Sequence, residues 1–167
     1  MPLGMHHEPL MSEFLAEFES VGELDIPGYF GSPSHTHEEK VRAFASQDAG
    51  EGLPPGIVPS TTLFLIVHGQ MVGVVNVRHS LNDNLRRLGG HVGYSVAPSH
   101  RGKGYATSLL AGALTHLALL GVTKALLTCD PRNVASVRVI EKNGGEHHET
   151  QYVDIVQRDV SRFWIAF

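Results

Sequence analysis

A single cysteine, Cys129, stands among 167 residues, so no internal disulfide is available and packing must hold the chain together. Such poverty in cysteine fits a reducing, cytoplasmic setting. No apolar run approaches the ~20 residues of a bilayer-crossing helix, so no membrane partner is expected. The opening MPLGMHHEPL lacks a cationic stretch followed by an apolar one, and no secretion signal is expected. Basic side chains are also scarce: 13 Lys and Arg against 17 Asp and Glu leave a formal charge of −4. A nucleic-acid binder, which neutralises phosphates with cations, would carry the opposite balance. The Gly-x-x-x-x-Gly-Lys-Ser/Thr string of a P-loop is absent. The HTH at His35 and His37 and the HH pairs beginning at His6 and His147 show no metal-ligand spacing; exposed loop positions, and no metal, are expected.

What is present reads as one domain over residues 1–167. MSEFLAEFES (11–20) puts Phe14, Leu15 and Phe18 on one helical face. Residues 21–60 are dense in Gly, Pro, Ser and Asp and should be mostly loop, with one helix over 38–46. TTLFLIV and MVGVVNV read as an antiparallel pair turned at HGQ. RHSLNDNLRRLGG is a loop or one helical turn before the strand HVGYSV. Leu109, Leu110, Ala113, Leu114, Leu117 and Leu120 keep a helical period that Gly121 ends. KALLTC is a buried-type strand, NVASVRVIEKN a helix capped by Asn133, and YVDIV and RFWIAF two closing strands. This order implies an α/β sheet with helices on its faces.

The stretch SHRGKGYATSLL (99–110) carries the chemistry. A strand ending at Val96 and a helix starting near Gly104 leave N–H groups without intrahelical partners, and these point into the turn. With the helix dipole and Arg101 and Lys103 they form an anion site that Gly102 and Gly104 let a ligand approach. Equally, glycine can serve helix-start geometry alone, with solvated basic neighbours. A dinucleotide fingerprint would need a third glycine at Thr107.

VAPSHRGKGYATSLL resembles the pyrophosphate-binding motif of the GNAT acyltransferases, Arg/Gln-x-x-Gly-x-Gly/Ala, with Arg101, Gly104 and Ala106 in its places. NVASVRVIEKNGG is similar to that family's later cofactor helix. The resemblance covers residues 61–167 and extends to a group of bacterial acetyltransferases. It implies a mixed, mostly antiparallel sheet with helices on both faces and two strands splayed into a wedge for acetyl-CoA. Ser95 and Val96 would pair with the pantetheine through their backbones. Arg101, Gly102, Lys103, Gly104, Tyr105, Ala106 and Thr107 would hold the pyrophosphate, with Asn133 and Ser136 across the wedge. The implied reaction is direct N-acetyl transfer in a ternary complex to the amine of a small molecule or peptide, with residues 11–60 on the acceptor side. The resemblance leaves room for a homodimer.

Amide formation needs a neutral amine, a stabilised oxyanion and a proton for the thiolate. The family's tyrosine acid is replaced by Ile140, and its phenylalanine by Gly145. Without that tyrosine, a non-catalytic acyl-CoA-binding module is the alternative. His91 is the expected base, since histidine titrates near neutrality. Tyr94 is a second catalytic candidate, although its alternation with Val92 and Val96 equally suits a pocket wall. His79 and Asn82 are candidates for acceptor contact. Cys129 ends a buried strand with no neighbouring base and reads as a small apolar residue.

Overall fold

The computed structural model describes residues 1–23 and 26–167. β1 (Ser60–Val67) and β2 (Gln70–Arg78) form the expected hairpin. His68 and Gly69 both take positive φ, 48° and 76°, the backbone that matches a tight turn to the twist of its strands. β3 (Val92–Val96) completes a three-stranded sheet in the order β1-β2-β3. The intervening polar stretch contains one short helix, α3 (Asp83–Arg87).

A second antiparallel sheet comprises β4 (Lys124–Cys129), β5 (Glu146–Val153) and β6 (Arg158–Ala166), ordered β4-β6-β5. The closing strands differ from expectation. Residues Asp154–Val156 form a 3-10 turn ending at left-handed Gln157, and the strand lies before it. Because β5 is exposed until Val153, it has no apolar alternation to betray it.

Helices cover both faces of the first sheet. α1 (Glu8–Ser20) and α2 (His37–Ala49) pack Phe14, Phe18 and Phe44 against Phe64 and Val74. The aromatic rings meet edge-on, with Phe14 and Phe18 centroids 4.9 Å apart. α2 is longer than expected at both ends: it runs on to Ala49, where left-handed Gly50 ends it, and a capping box starts it at His37. The Thr36 hydroxyl accepts from Glu39 N–H at 3.2 Å, and the Glu39 carboxylate accepts from Thr36 N–H at 2.6 Å. The other described residues between α1 and β1 form turns and irregular backbone, as their composition implies. Two of the histidines expected in exposed loops are buried: His7 accepts from Gly4 N–H at 2.9 Å, and His37 Nε2 bonds the Gly4 carbonyl at 2.9 Å. Both tie the N-terminal turn to the helices.

On the other face, α4 (Tyr105–Leu119) inserts Leu110, Leu114 and Leu117 between the sheets. Val75, Val77, Val92 and Val96 meet them from the first sheet, and Leu127, Phe163 and Ile165 from the second. α5 (Val134–Lys142) adds Ile140. One core thus spans both sheets.

The sheets join where the residues before β3 touch β4. His91 N–H donates to the Leu126 carbonyl at 2.8 Å, and Leu126 N–H donates to His91 Nδ1 at 2.9 Å. Gly89 N–H donates to the Thr128 hydroxyl at 2.9 Å. Arg162, buried in β6, donates to the Arg86 and Arg87 carbonyls at 2.9 and 2.7 Å, so the turn ahead of β3 is fixed to the second sheet. Between them Gly90 has φ +59°, and a Cβ there would overlap the Leu126 carbonyl. Gly90→Ala should therefore destabilise the protein by at least ~3 kcal/mol in denaturant titration, since backbone cannot yield as a flexible side chain can.

Candidate active site

Beyond that junction β3 and β4 form no ladder, and the gap between them opens into a cleft of ≈ 840 Å³. Val92 to Val96 line one side and Thr128 the other, and the first turns of α4 and α5 line it as well. Strand parity sets what β3 presents. Arg78 N–H donates to the His91 carbonyl, and Ala97 N–H to the Val72 carbonyl, so odd-numbered residues turn their backbone groups toward β2. The backbones of Val92, Tyr94 and Val96 face the gap. Ser95 lines the cleft, but its backbone N–H and C=O are directed to β2; the backbone that faces the gap here is that of Tyr94.

The glycine turn adopts the backbone that its composition implies. Gly102 and Gly104 have φ +73° and +83°, which a side chain rarely tolerates. The first intrahelical bond of α4 is Ser108 N–H to the Gly104 carbonyl, leaving the N–H groups of Tyr105, Ala106 and Thr107 without helical partners. All three residues line the cleft. These donors and the dipole behind them suit a multiply charged anion.

A family model for an acetyltransferase (GNAT) domain matches residues 5–146. The chain belongs to the GNAT acetyltransferase family. Solved structures share its fold at low identity. RimJ of Mycobacterium smegmatis, in complex with CoA-disulfide, aligns with TM-score 0.71 and 20% identity over 99% of this chain and 79% of its own. A GNAT-family acetyltransferase from Streptococcus pneumoniae gives 0.63 and 17% over 100% and 96%. A variant of the spermidine N-acetyltransferase SpeG from Vibrio cholerae gives 0.62 and 17% over 95% and 90%. No curated protein matches the chain.

In this acetyltransferase Arg101 does not offer its charge to the turn. Its Nε donates to the Val96 carbonyl at 3.1 Å, and its guanidinium pairs with Glu23 at 2.6 Å, holding that carboxyl below its usual range. Lys103 is exposed and does not line the cleft. Asn133 combines two roles: its Oδ1 caps α5 by accepting from Ser136 N–H at 3.1 Å, and it lines the cleft with Ser136. The Tyr94 hydroxyl bonds the Ser136 hydroxyl at 2.8 Å across the cleft. Burial raises the Tyr94 pKa against the opposing Ser136 hydrogen bond, so the phenol keeps its proton. Burial raises Cys129 likewise, and its thiol is a poor nucleophile.

Three expected site residues lie elsewhere. His79 Nε2 bonds the Thr61 hydroxyl at 2.7 Å, beside His116 and Asp48, and does not line the cleft. Asn82 caps α3 by accepting from Leu85 N–H at 2.9 Å, and donates to the Gly56 carbonyl at 2.8 Å. His91 is 5% exposed, and its Nδ1 lone pair is occupied by Leu126 N–H. A histidine so bonded carries its proton on Nε2 and has no lone pair left for an amine. Sequence reasoning missed Glu23, His100, Thr128 and the α5 cations Arg138 and Lys142, which also line the cleft. Only the i, i+4 spacing of the last two is visible in the sequence.

Burial, helped by Arg86 and Arg78, lowers the His91 pKa from 6.5 to about 4. The unfolded chain takes up this proton first as pH falls. The contribution of neutral His91 is complete above the unfolded pKa of 6.5 and lost as pH falls to about 4. A Gln amide oxygen can still accept from Leu126 N–H without titrating. His91→Gln should keep neutral-pH turnover within about threefold, far from the loss of 10²-fold or more that removal of a general base brings. Acid unfolding of the variant should also be shallower through that window; both are measurable by steady-state kinetics and pH-dependent denaturation.

Proposed function

We propose that this protein is an N-acetyltransferase that binds acetyl-CoA in the wedge between β3 and β4 and passes the acetyl group directly to an amine. The observation that carries this is the open strand edge of Tyr94 and Val96, continuous with three unpaired N–H groups at the start of α4. An extended amide-bearing arm completes such an edge as an added strand would, while the pyrophosphate lies on the helix N-terminus. The arm and its phosphates are thus read by backbone.

The amine lone pair attacks the thioester carbon. The N–H of Val96, turned into the gap, donates to the resulting oxyanion in this reading. As the C–S bond breaks, the Tyr94 hydroxyl donates a hydrogen bond to the departing sulfur, a role that buried Ile140 cannot fill. A thiol pKa of ~8.5 makes the sulfur a competent leaving group even so. The proton shed by the amine passes to water, since His91 lacks a free lone pair. The inert Cys129 thiol argues for direct transfer over an acyl-enzyme. A binding module without turnover would bind acetyl-CoA equally well.

Two measurements test this. In calorimetric titration with acetyl-CoA, Gly104→Val should weaken binding at least ~10-fold, because φ +83° and the close approach of the ligand both oppose a β-branched residue. Lys103→Ala should change it less than about twofold, its charge being solvent-screened. Equal losses would contradict backbone recognition. In the second, acetyl-CoA is incubated with a pool of amines and free thiol is followed. Turnover above hydrolysis excludes the binding module, and Tyr94→Phe should lower kcat roughly 10-fold while leaving acetyl-CoA affinity within about twofold.

A further inference from the structure

We propose that Arg78 binds a carboxylate carried by the amine acceptor, making amino acids the substrate class of this enzyme. The inference rests on the acetyl transfer proposed above and names its acceptor. Arg78 ends β2 and shares strand parity with Val74 and Asn76, the face covered by α1, α2 and the segment containing Pro27 and Gly28. Tyr94 and α5 lie on the opposite face. The acceptor and the acyl donor therefore approach the wedge from different sides.

Two hydrogen bonds hold the guanidinium: Nη1 donates to the Gly89 carbonyl at 2.9 Å and to the Gly90 carbonyl at 3.1 Å. Its Nη2 lies 3.6 Å from where a Cβ on Gly93 would stand, and Pro27 Cβ lies 3.5 Å from the same point. Gly93 lines the cleft. No other atom outside the neighbouring residues comes within 4 Å of that point, so the missing side chain leaves the space beside Arg78 open to the strand that carries the transfer site.

Arg42, Arg101, Arg132, Arg158 and Arg162 each have a carboxylate within ion-pair distance. Among the described residues none pairs with Arg78, although burial lowers its pKa. Arg86 adds to the positive field, since both arginines depress the titration of His91. A desolvated guanidinium with fixed geometry and unused donors is best satisfied by a planar carboxylate. An α- or β-amino group on the same molecule then sits across Gly93 from the thioester. The cation also lowers the pKa of that amine, raising the fraction of neutral nucleophile.

The test follows thiol release from acetyl-CoA with the common amino acids, their carboxamides, and diamines without a carboxylate. Amino acids should exceed their carboxamides at least ~10-fold in kcat/KM, and Arg78→Gln should abolish that preference while acetyl-CoA affinity stays within about twofold. Gly93→Ala guards against loss of fold. Its Cβ would meet Pro27 and Arg78 at ordinary contact distance, so the protein should fold normally while KM for the amino acid rises more than KM for acetyl-CoA. Equal use of carboxamides or diamines, or an unmoved amino-acid KM in Gly93→Ala, overturns the carboxylate site and leaves acetyl transfer standing. Bound acetyl-CoA with no turnover of any amine overturns both.

Discussion

The paired hydrogen bonds between His91 and the backbone of Leu126 determine what β3 and β4 can do. They bring the sheets together at one point, where a regular ladder would have continued along both strands. Past that point the edges of Tyr94 and Val96 face a cleft, and their polar groups, apart from the Val96 carbonyl that accepts from Arg101, must find partners in water or in a ligand. An imidazole suits the junction because it accepts through one ring nitrogen while its apolar body fills a buried site. The same hydrogen bond makes it a poor base.

Around the junction the two faces of the first sheet differ in the groups they offer. The side of α4 and α5 offers unpaired backbone donors, with Arg138 and Lys142 also lining the cleft, suited to a long polyanionic donor. The other side offers Arg78, Gly93 and Pro27, a small opening with one fixed charge. Glu23 links the two, since it belongs to the segment after α1 yet pairs with Arg101 of the glycine turn. The remainder of the segment before β1, including α2, packs on Phe64.

The departures at Ile140 and Gly145 from the resembled family motif are physically coupled. Ile140 is fully buried, and a Cβ on Gly145 would overlap its side chain and carbonyl. Aliphatic bulk at one position thus requires its absence at the other, and a phenol at 140 would overpack the core. The hydroxyl that crosses the cleft comes instead from Tyr94 on β3, held by Ser136.

Local chemistry fixed several features that the sequence alone determined. These include the His68-Gly69 hairpin, the left-handed Gly102 and Gly104, the Asn133 cap, the period of α4, and hence the family and the unpaired N–H groups at the start of α4. Each depends on residues a few positions apart. Only the tertiary structure decided which candidates reach the cleft. His79 and Asn82 are near the cleft strand in sequence, but Thr61 and Gly56 hold them elsewhere. Ser95 and Val96 are adjacent, yet strand parity sends their backbones in opposite directions. Arg78 meets Gly93, and Glu23 meets Arg101, through contacts that no spacing encodes, because they arise only when two sheets and the segment after α1 close around one junction.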